Sequence, residues 1–186
     1  MFEIIKTVTV RDSAVFVNDV LFFQYPEAVD TTDFLKEFYR CLKPDYLKFF
    51  KMDNLSKLGF LAAELLLEGI GNKEDFGIIL STSSSSLDTD TAFQDTIRNA
   101  GNFFPSPSVF VYTLPNIVIG EICIRHKIHG ENMMFIVHEN DTHNFYRHTQ
   151  NLMNEMEVKQ GITGYLDCYK NHYHAEFRLF QNSSCV

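Results

Sequence analysis

The stretch that most constrains the fold of this 186-residue chain is Phe76-Gly-Ile-Ile-Leu-Ser81. It is short, apolar and closed by a small polar residue, the pattern of a strand buried on both faces. Just before it, Leu55, Leu58, Leu61, Ala62, Leu65 and Leu66 fall three and four apart and mark one face of a helix. Asp53 or Asn54 stands where a cap is needed, and Gly69-Ile70-Gly71 closes the segment. Just after the apolar run comes the low-complexity stretch Thr82-Ser83-Ser84-Ser85-Ser86, then a helix read over residues 88–100 with Asp88 or Thr89 as cap.

The same rules order the rest of the chain. Residues 2–10 and 14–23 read as strands joined by the turn Arg11-Asp12-Ser13. Asp30-Thr31-Thr32-Asp33 caps a helix carrying Phe34, Leu35, Phe38 and Tyr39. Pro105 and Pro107 predict an extended loop over 103–111. Asn116 to His126 is helical in spacing and contains Gly120. A mid-helix glycine costs about 1 kcal/mol relative to alanine, so Gly120 predicts close packing of another backbone. Met133 to Val137 reads as a buried strand, and Asp141 or Thr142 caps a polar helix to about Val158, with Gly161 or Gly164 as its breaker. Strands over 163–169 and 173–180, joined through Lys170-Asn171-His172, finish the chain. Strands and helices thus alternate as in an α/β protein, with no repeat and no internal boundary. A single domain over 1–186 is expected.

Composition removes several functions. The formal charge of −8 and a pI near 5.3 argue against a nucleic-acid binder, which needs a basic face. The longest apolar run, Gly59 to Leu67, is interrupted by Glu64 and is too short to span a bilayer. The first residues lack the layout of a signal peptide, and Cys41, Cys123, Cys168 and Cys185 show no CxxC spacing. A cytoplasmic protein with reduced thiols is expected. A substantial core is expected from 45% hydrophobic residues, including 18 Phe and 8 Tyr.

Asn102 to Glu139 carries the most specific pattern: Leu114-Pro115-Asn116, Gly120, Ile124-Arg125, then Gly130 and Asn132. It resembles the approach to the nucleophile in β-ketoacyl synthases, the condensing enzymes of fatty-acid and polyketide synthesis. Lys51-Met52-Asp53 and the helix after it are similar to a second segment of that family. The resemblance covers roughly residues 50–180. It implies an α/β thiolase-like half-domain, a mixed β-sheet with helices packed on both faces. It also implies that the serine-rich run is an ordered strand-to-helix turn, and that half such a fold leaves one sheet face and its central helix in need of cover. A full-length ketosynthase, or a second copy of the chain as a homodimer, is the implied partner, with an acyl carrier protein as a further one.

The family's nucleophile is a cysteine at a strand-to-helix elbow, where the helix N-terminus lowers the thiol pKa. The family spacing sets that position at Glu139, with His138 and Asn140 one residue to either side. None is a thiol, and the chain stops where the family's second half begins. Glu139 reads either as a base in the cysteine's place or as a solvated acid in a first helical turn. Three roles follow: a chain-length-factor-like subunit without condensing activity in a fatty-acid, polyketide or aryl-polyene-type pathway; an acyl-thioester hydrolase or decarboxylase using Glu139 or His138; or a non-catalytic acyl or acyl-carrier binding module. The resemblance places Phe103, Phe104, Phe110 and Tyr112 near a subunit interface and acyl pocket, against the plainer reading that the rings fill the core. His172 and His174 share a strand face, and His138, Glu139, Asp141 and His143 cluster locally, but no HExxH or CxxC accompanies them. No metal or cofactor is expected. Ser81 to Ser86 shows neither GxSxG nor a phosphate-loop pattern, and Arg125 reads as one half of a structural ion pair.

Overall fold

The computed structural model describes residues 2–26, 30–71, 73, 75–99, 101, 103–138 and 142–182, with Thr142 and His143 described by their backbone only. Seven strands form one mixed sheet: β1 (Phe2–Arg11), β2 (Ala14–Val17), β3 (Val20–Gln24), β4 (Phe76–Thr82), β5 (Asn132–Ile136), β6 (Gln160–Tyr169) and β7 (His172–Asn182). Their order is β3-β2-β1-β7-β6-β4-β5. β4 runs parallel to both β5 and β6, and every other pairing is antiparallel.

Every residue of β4 is buried, as its composition requires. One face of the sheet is covered by α1 (Thr31–Leu42), α2 (Asn54–Leu66) and α5 (Ile117–His126), the other by α6 (Thr142–Glu155). α2 lies at the centre of its layer and buries ten residues, from Leu55 to Leu66. It can sit that close because residue 59 is glycine: a Cβ there would run into Val118 of α5 and Leu166 of β6. Asp53 is its cap, accepting from Ser56 N at 3.0 Å. Under α6 a second, smaller core gathers Ile79, Phe145, Met153, Val158 and Phe180.

Several sequence expectations change. Residues 14–23 form two strands, because Asn18 and Asp19 take left-handed φ of 50° and 62° and close a tight hairpin. Gly161 and Gly164 do not stop a helix; they sit inside β6, where a Cβ would meet the backbone oxygens of Gly77 and Glu176 respectively. The helix before them ends at Glu155, followed by Glu157 at a left-handed φ of 56°. Pro107 opens a short helix, α4 (Pro107–Val111), instead of extending the loop, since proline fits the first helical position and Ser106 caps it. α3 spans Leu87–Ile97 with Ser86 at its N-cap position, because Asp88 and Thr89 are engaged elsewhere. β5 is an edge strand with both ends exposed rather than a buried one.

Gly120 meets no atom within 4 Å of where its Cβ would lie, so close packing does not explain it. The expected lack of cover is met within the chain. α2 is enclosed, and α6 turns Asn144, Arg147, His148, Gln150, Asn151 and Asn154 outward, a polar face suited to water. The uncovered part of the sheet over β1 and β7 is lined by Thr7, Thr9, Arg11, Asp19, His174, Glu176 and Arg178, with Ile4 as its one apolar member, and is mostly polar.

Candidate functional site

The serine run is an ordered turn. Asp167, projecting from β6, accepts from Thr82 Oγ1 at 2.7 Å, Ser83 N at 3.1 Å, Ser84 N at 2.8 Å and Ser84 Oγ at 2.8 Å. Ser83 Oγ lies 2.7 Å from Tyr165 OH, and Ser86 Oγ donates to Thr113 O at 2.6 Å. The hydroxyls of Thr82, Ser83, Ser84 and Ser86 are thus engaged in holding the chain. Asp167 was not singled out in sequence; a lone acid in the apolar stretch Gly161–Tyr169 was the available signal.

β5 ends at Ile136 and α6 begins at Thr142, so the chain passes from strand to helix across 137–141. Val137 N donates to Thr82 O at 2.9 Å, which ties this connection to the end of β4. His138 is exposed there. Glu139, Asn140 and Asp141 lie outside the described residues, as does the His143 side chain, so the local cluster around His138 is described only at His138 itself.

The thiols stand elsewhere. Cys123 is on α5, where burial pushes its pKa up. Cys168 is buried on β6, and burial followed by the charges of Asp88, Asp53 and Asp167 pushes it up further. Both are held protonated at neutral pH, the reverse of what a nucleophile needs. Cys41 is exposed on α1, and Cys185 lies outside the described residues. His172 is exposed; His174 is half-buried beside the Tyr165 ring at 5.7 Å, and burial lowers its pKa. Among the described residues, no three His, Cys, Asp or Glu side chains are grouped to hold a metal.

The four aromatic candidates separate. Phe103, Phe104 and Phe110 are 58%, 73% and 54% exposed, while Tyr112 is only 9% exposed. Tyr112 is a core anchor: its hydroxyl donates to Glu121 Oε1 at 3.2 Å, and burial together with that carboxylate raises its pKa. Glu121 is itself buried and is met by Lys48 Nζ at 2.8 Å. Leu87, Val111 and Leu114 are exposed along with the three phenylalanines. The segment from Leu87 to Leu114 therefore presents an apolar surface to solvent, and α4 buries no residue at all.

Arg125 is structural. Its Nε donates to Glu64 Oε1 at 2.8 Å and its Nη2 to Pro44 O at 2.5 Å, with the guanidinium 5.3 Å from the Tyr46 ring centre. His126 Nε2 lies 3.0 Å from the same Glu64 oxygen. Burial alone would raise the Glu64 pKa, but hydrogen bonds and charges from His126 and Arg125 outweigh it and hold the carboxyl below the usual range.

The fold is the thiolase-like fold of condensing enzymes, with a seven-stranded mixed sheet and helices on both faces. Three solved structures share it. The ishigamide ketosynthase/chain length factor superposes with a TM-score of 0.72 at 14% identity, over 100% of this chain and 63% of that one. A chain of the ketosynthase ApeO in complex with its chain length factor ApeC from Xenorhabdus doucetiae gives 0.68 at 10% identity, over 98% of this chain and 79% of that one. A chain of AntDE:AntF, a type II polyketide synthase acyl-carrier protein in complex with its ketosynthase bound to the hexaketide, gives 0.65 at 9% identity, over 98% and 62%. The chain thus spans less than two thirds of the first and third of these. No protein-family model and no curated protein matches the sequence. No described helix is long and apolar enough to cross a membrane.

Proposed function

We propose that the chain is a ketosynthase-like subunit without condensing activity, acting in the manner of a chain length factor in polyketide, aryl-polyene or fatty-acid synthesis. The observation that carries this is the exposed apolar segment with Phe103, Phe104 and Phe110, in a fold shared with ketosynthase and chain-length-factor chains. Large apolar side chains left exposed along one segment suit an interaction surface. β5 adds an open sheet edge free of charge and proline, the features that ordinarily protect an edge. The partner is a full-length ketosynthase or a second copy of this chain. The thiols of Cys123 on α5, half-buried, and Cys168 on β6, buried, are both pushed up in pKa by burial, which supports a role without chemistry at these two thiols.

A carrier protein is a second partner in this reading. The 3-10 helix Leu47–Lys51 presents Leu47, Phe50 and Lys51 to solvent in an otherwise acidic chain. Apolar groups interleaved with lysine suit an acidic helical surface.

The test is size-exclusion chromatography with light scattering, for the chain alone and mixed with a full-length ketosynthase from the same organism. A stable assembly that Phe104→Asp dissolves, with folding stability changed by less than about 0.5 kcal/mol, supports the proposal. A wild-type chain that stays monomeric in both samples refutes it. Turnover of malonyl or acyl thioesters that is lost in Glu139→Ala or His138→Ala replaces it with the hydrolase or decarboxylase reading.

A further inference from the structure

A cavity of about 390 Å³ lies between the start of α2 and the α3–α4 segment. That is within the size range of small-ligand pockets, roughly 300–1,000 Å³. Its lining includes neither a residue of the 137–141 connection nor one of the exposed phenylalanines. Its apolar part is made by Met52, Leu55, Val109 and Tyr112, its polar part by Asp53, Ser85 and Asp88, with Lys51 at the margin.

The polar groups define what fits. Asp53 Oδ1 accepts from Ser56 N and Oδ2 from Thr89 Oγ1, both at 3.0 Å. Each carboxylate oxygen keeps capacity for a second donor. Burial raises the Asp53 pKa against those hydrogen bonds, so the carboxylate is short of water as well. Ser85 Oγ makes no hydrogen bond to another described residue, although Ser85 N is held by Thr82 Oγ1 at 3.1 Å. Asp88 is occupied by Lys170 N, at 2.8 and 2.9 Å from its two oxygens. An anionic head would face Asp53 and Asp88 across a partly dry wall. A cationic head would compete with Lys57, whose charge already opposes Asp53, and would meet Lys51. An uncharged donor satisfies Asp53 without carrying another ion out of water.

We infer that this cavity binds a small uncharged amphiphile, its amide or hydroxyl head against Asp53 and Ser85 and its short hydrocarbon part over Met52, Leu55 and Val109. This binding is independent of assembly with a ketosynthase and is measured on the chain alone.

The experiment is a titration of the isotope-labelled chain, followed by amide NMR, with hexanamide, hexanoate and hexylamine, three probes with the same tail and different heads. Hexanamide gives saturable shifts at the Leu55, Thr89 and Val109 amides, and both ions bind at least about tenfold more weakly, a difference of about 1.4 kcal/mol. Ser108→Trp and Ala92→Phe, both at exposed lining positions, each weaken the hexanamide response about tenfold and leave the remaining spectrum in place. The inference is overturned by hexanamide shifts that do not saturate or that centre elsewhere, by either ion binding as tightly, or by both variants binding like the wild type.

Discussion

The helical layer around α2 and the α3–α4 segment both carry large apolar side chains and use them in opposite ways. Around α2, the side chains of Leu58, Phe60, Leu61 and Leu66 are fully buried, and Gly59 lets α5 and β6 close in. Along α3–α4, only Thr89 of α3 is buried, and the phenylalanines face outward. Water exclusion is complete in the first region and unfinished in the second. The first region accounts for why the chain folds, and the second carries the surface proposed to meet a partner. Substitutions therefore have large effects on stability in one and small effects in the other.

The largest effect falls where backbones touch. Gly164→Val puts a side chain against Glu176 O and within 2.7 Å of Phe177 Cδ1, and is expected to cost more than about 4 kcal/mol in urea unfolding. A loss below about 1 kcal/mol would show that β6 and β7 yield more readily than this packing implies. Next is Lys48→Ala, which strands the buried Glu121 carboxylate beside Tyr112. Lys48 is itself half-exposed, so a loss of about 2 kcal/mol is expected, below the full cost of breaking a buried pair. Adding Glu121→Gln should recover much of it, because the stranded charge is then gone; a double variant no better than the single one would deny that Glu121 is charged in the fold.

The third effect is a pH dependence. The Glu64 carboxyl is held low in the folded chain, so its contribution is present above the unfolded glutamate value of about 4.3 and is lost as pH falls through the lower folded value. Melting temperatures of the wild type and Glu64→Gln should converge from pH 5 downward, on the order of the unfolded value and below. Parallel curves over that range would remove Glu64 from the acid sensitivity. The smallest effect is a gain. Gly120→Ala fills open space on the outside of α5 and should stabilise the isolated chain by up to about 1 kcal/mol. Stabilisation of the isolated chain with simultaneous loss of assembly would extend the shared surface onto α5.

The sheet and its helices were legible because their signals are local. The apolar run of β4, the spacing of α2 and the caps at Asp30 and Asp53 each speak within a few residues. The errors arose where a residue answers to a distant neighbour. Gly161 and Gly164 resemble helix breakers until Gly77 and Glu176 are seen lying against them. Gly120 misled in the other direction, since nothing packs on it. Tyr112 looked like its aromatic neighbours, and only Glu121, nine residues further on, shows that it points inward. For the candidate site, sequence located the strand-to-helix connection and singled out Phe103, Phe104 and Phe110, but left open whether these rings fill the core. It did not reveal the cavity beside Asp53, which four separated segments line.

The turn at Thr82–Ser86 has a consequence for how the chain assembles. Its four bonds to Asp167 join residues 83 to 85 positions apart, so the local bonds within the turn, such as Ser85 N to Thr82 Oγ1, are only part of what holds the serines. Closing so long a loop carries an entropic cost that the β4–β6 ladder must first offset. Until β6 has docked, the connection between β4 and α3 lacks the carboxylate that shapes it. On a growing chain, the surface formed by α3 and α4 therefore takes its final shape only after β6 has been made.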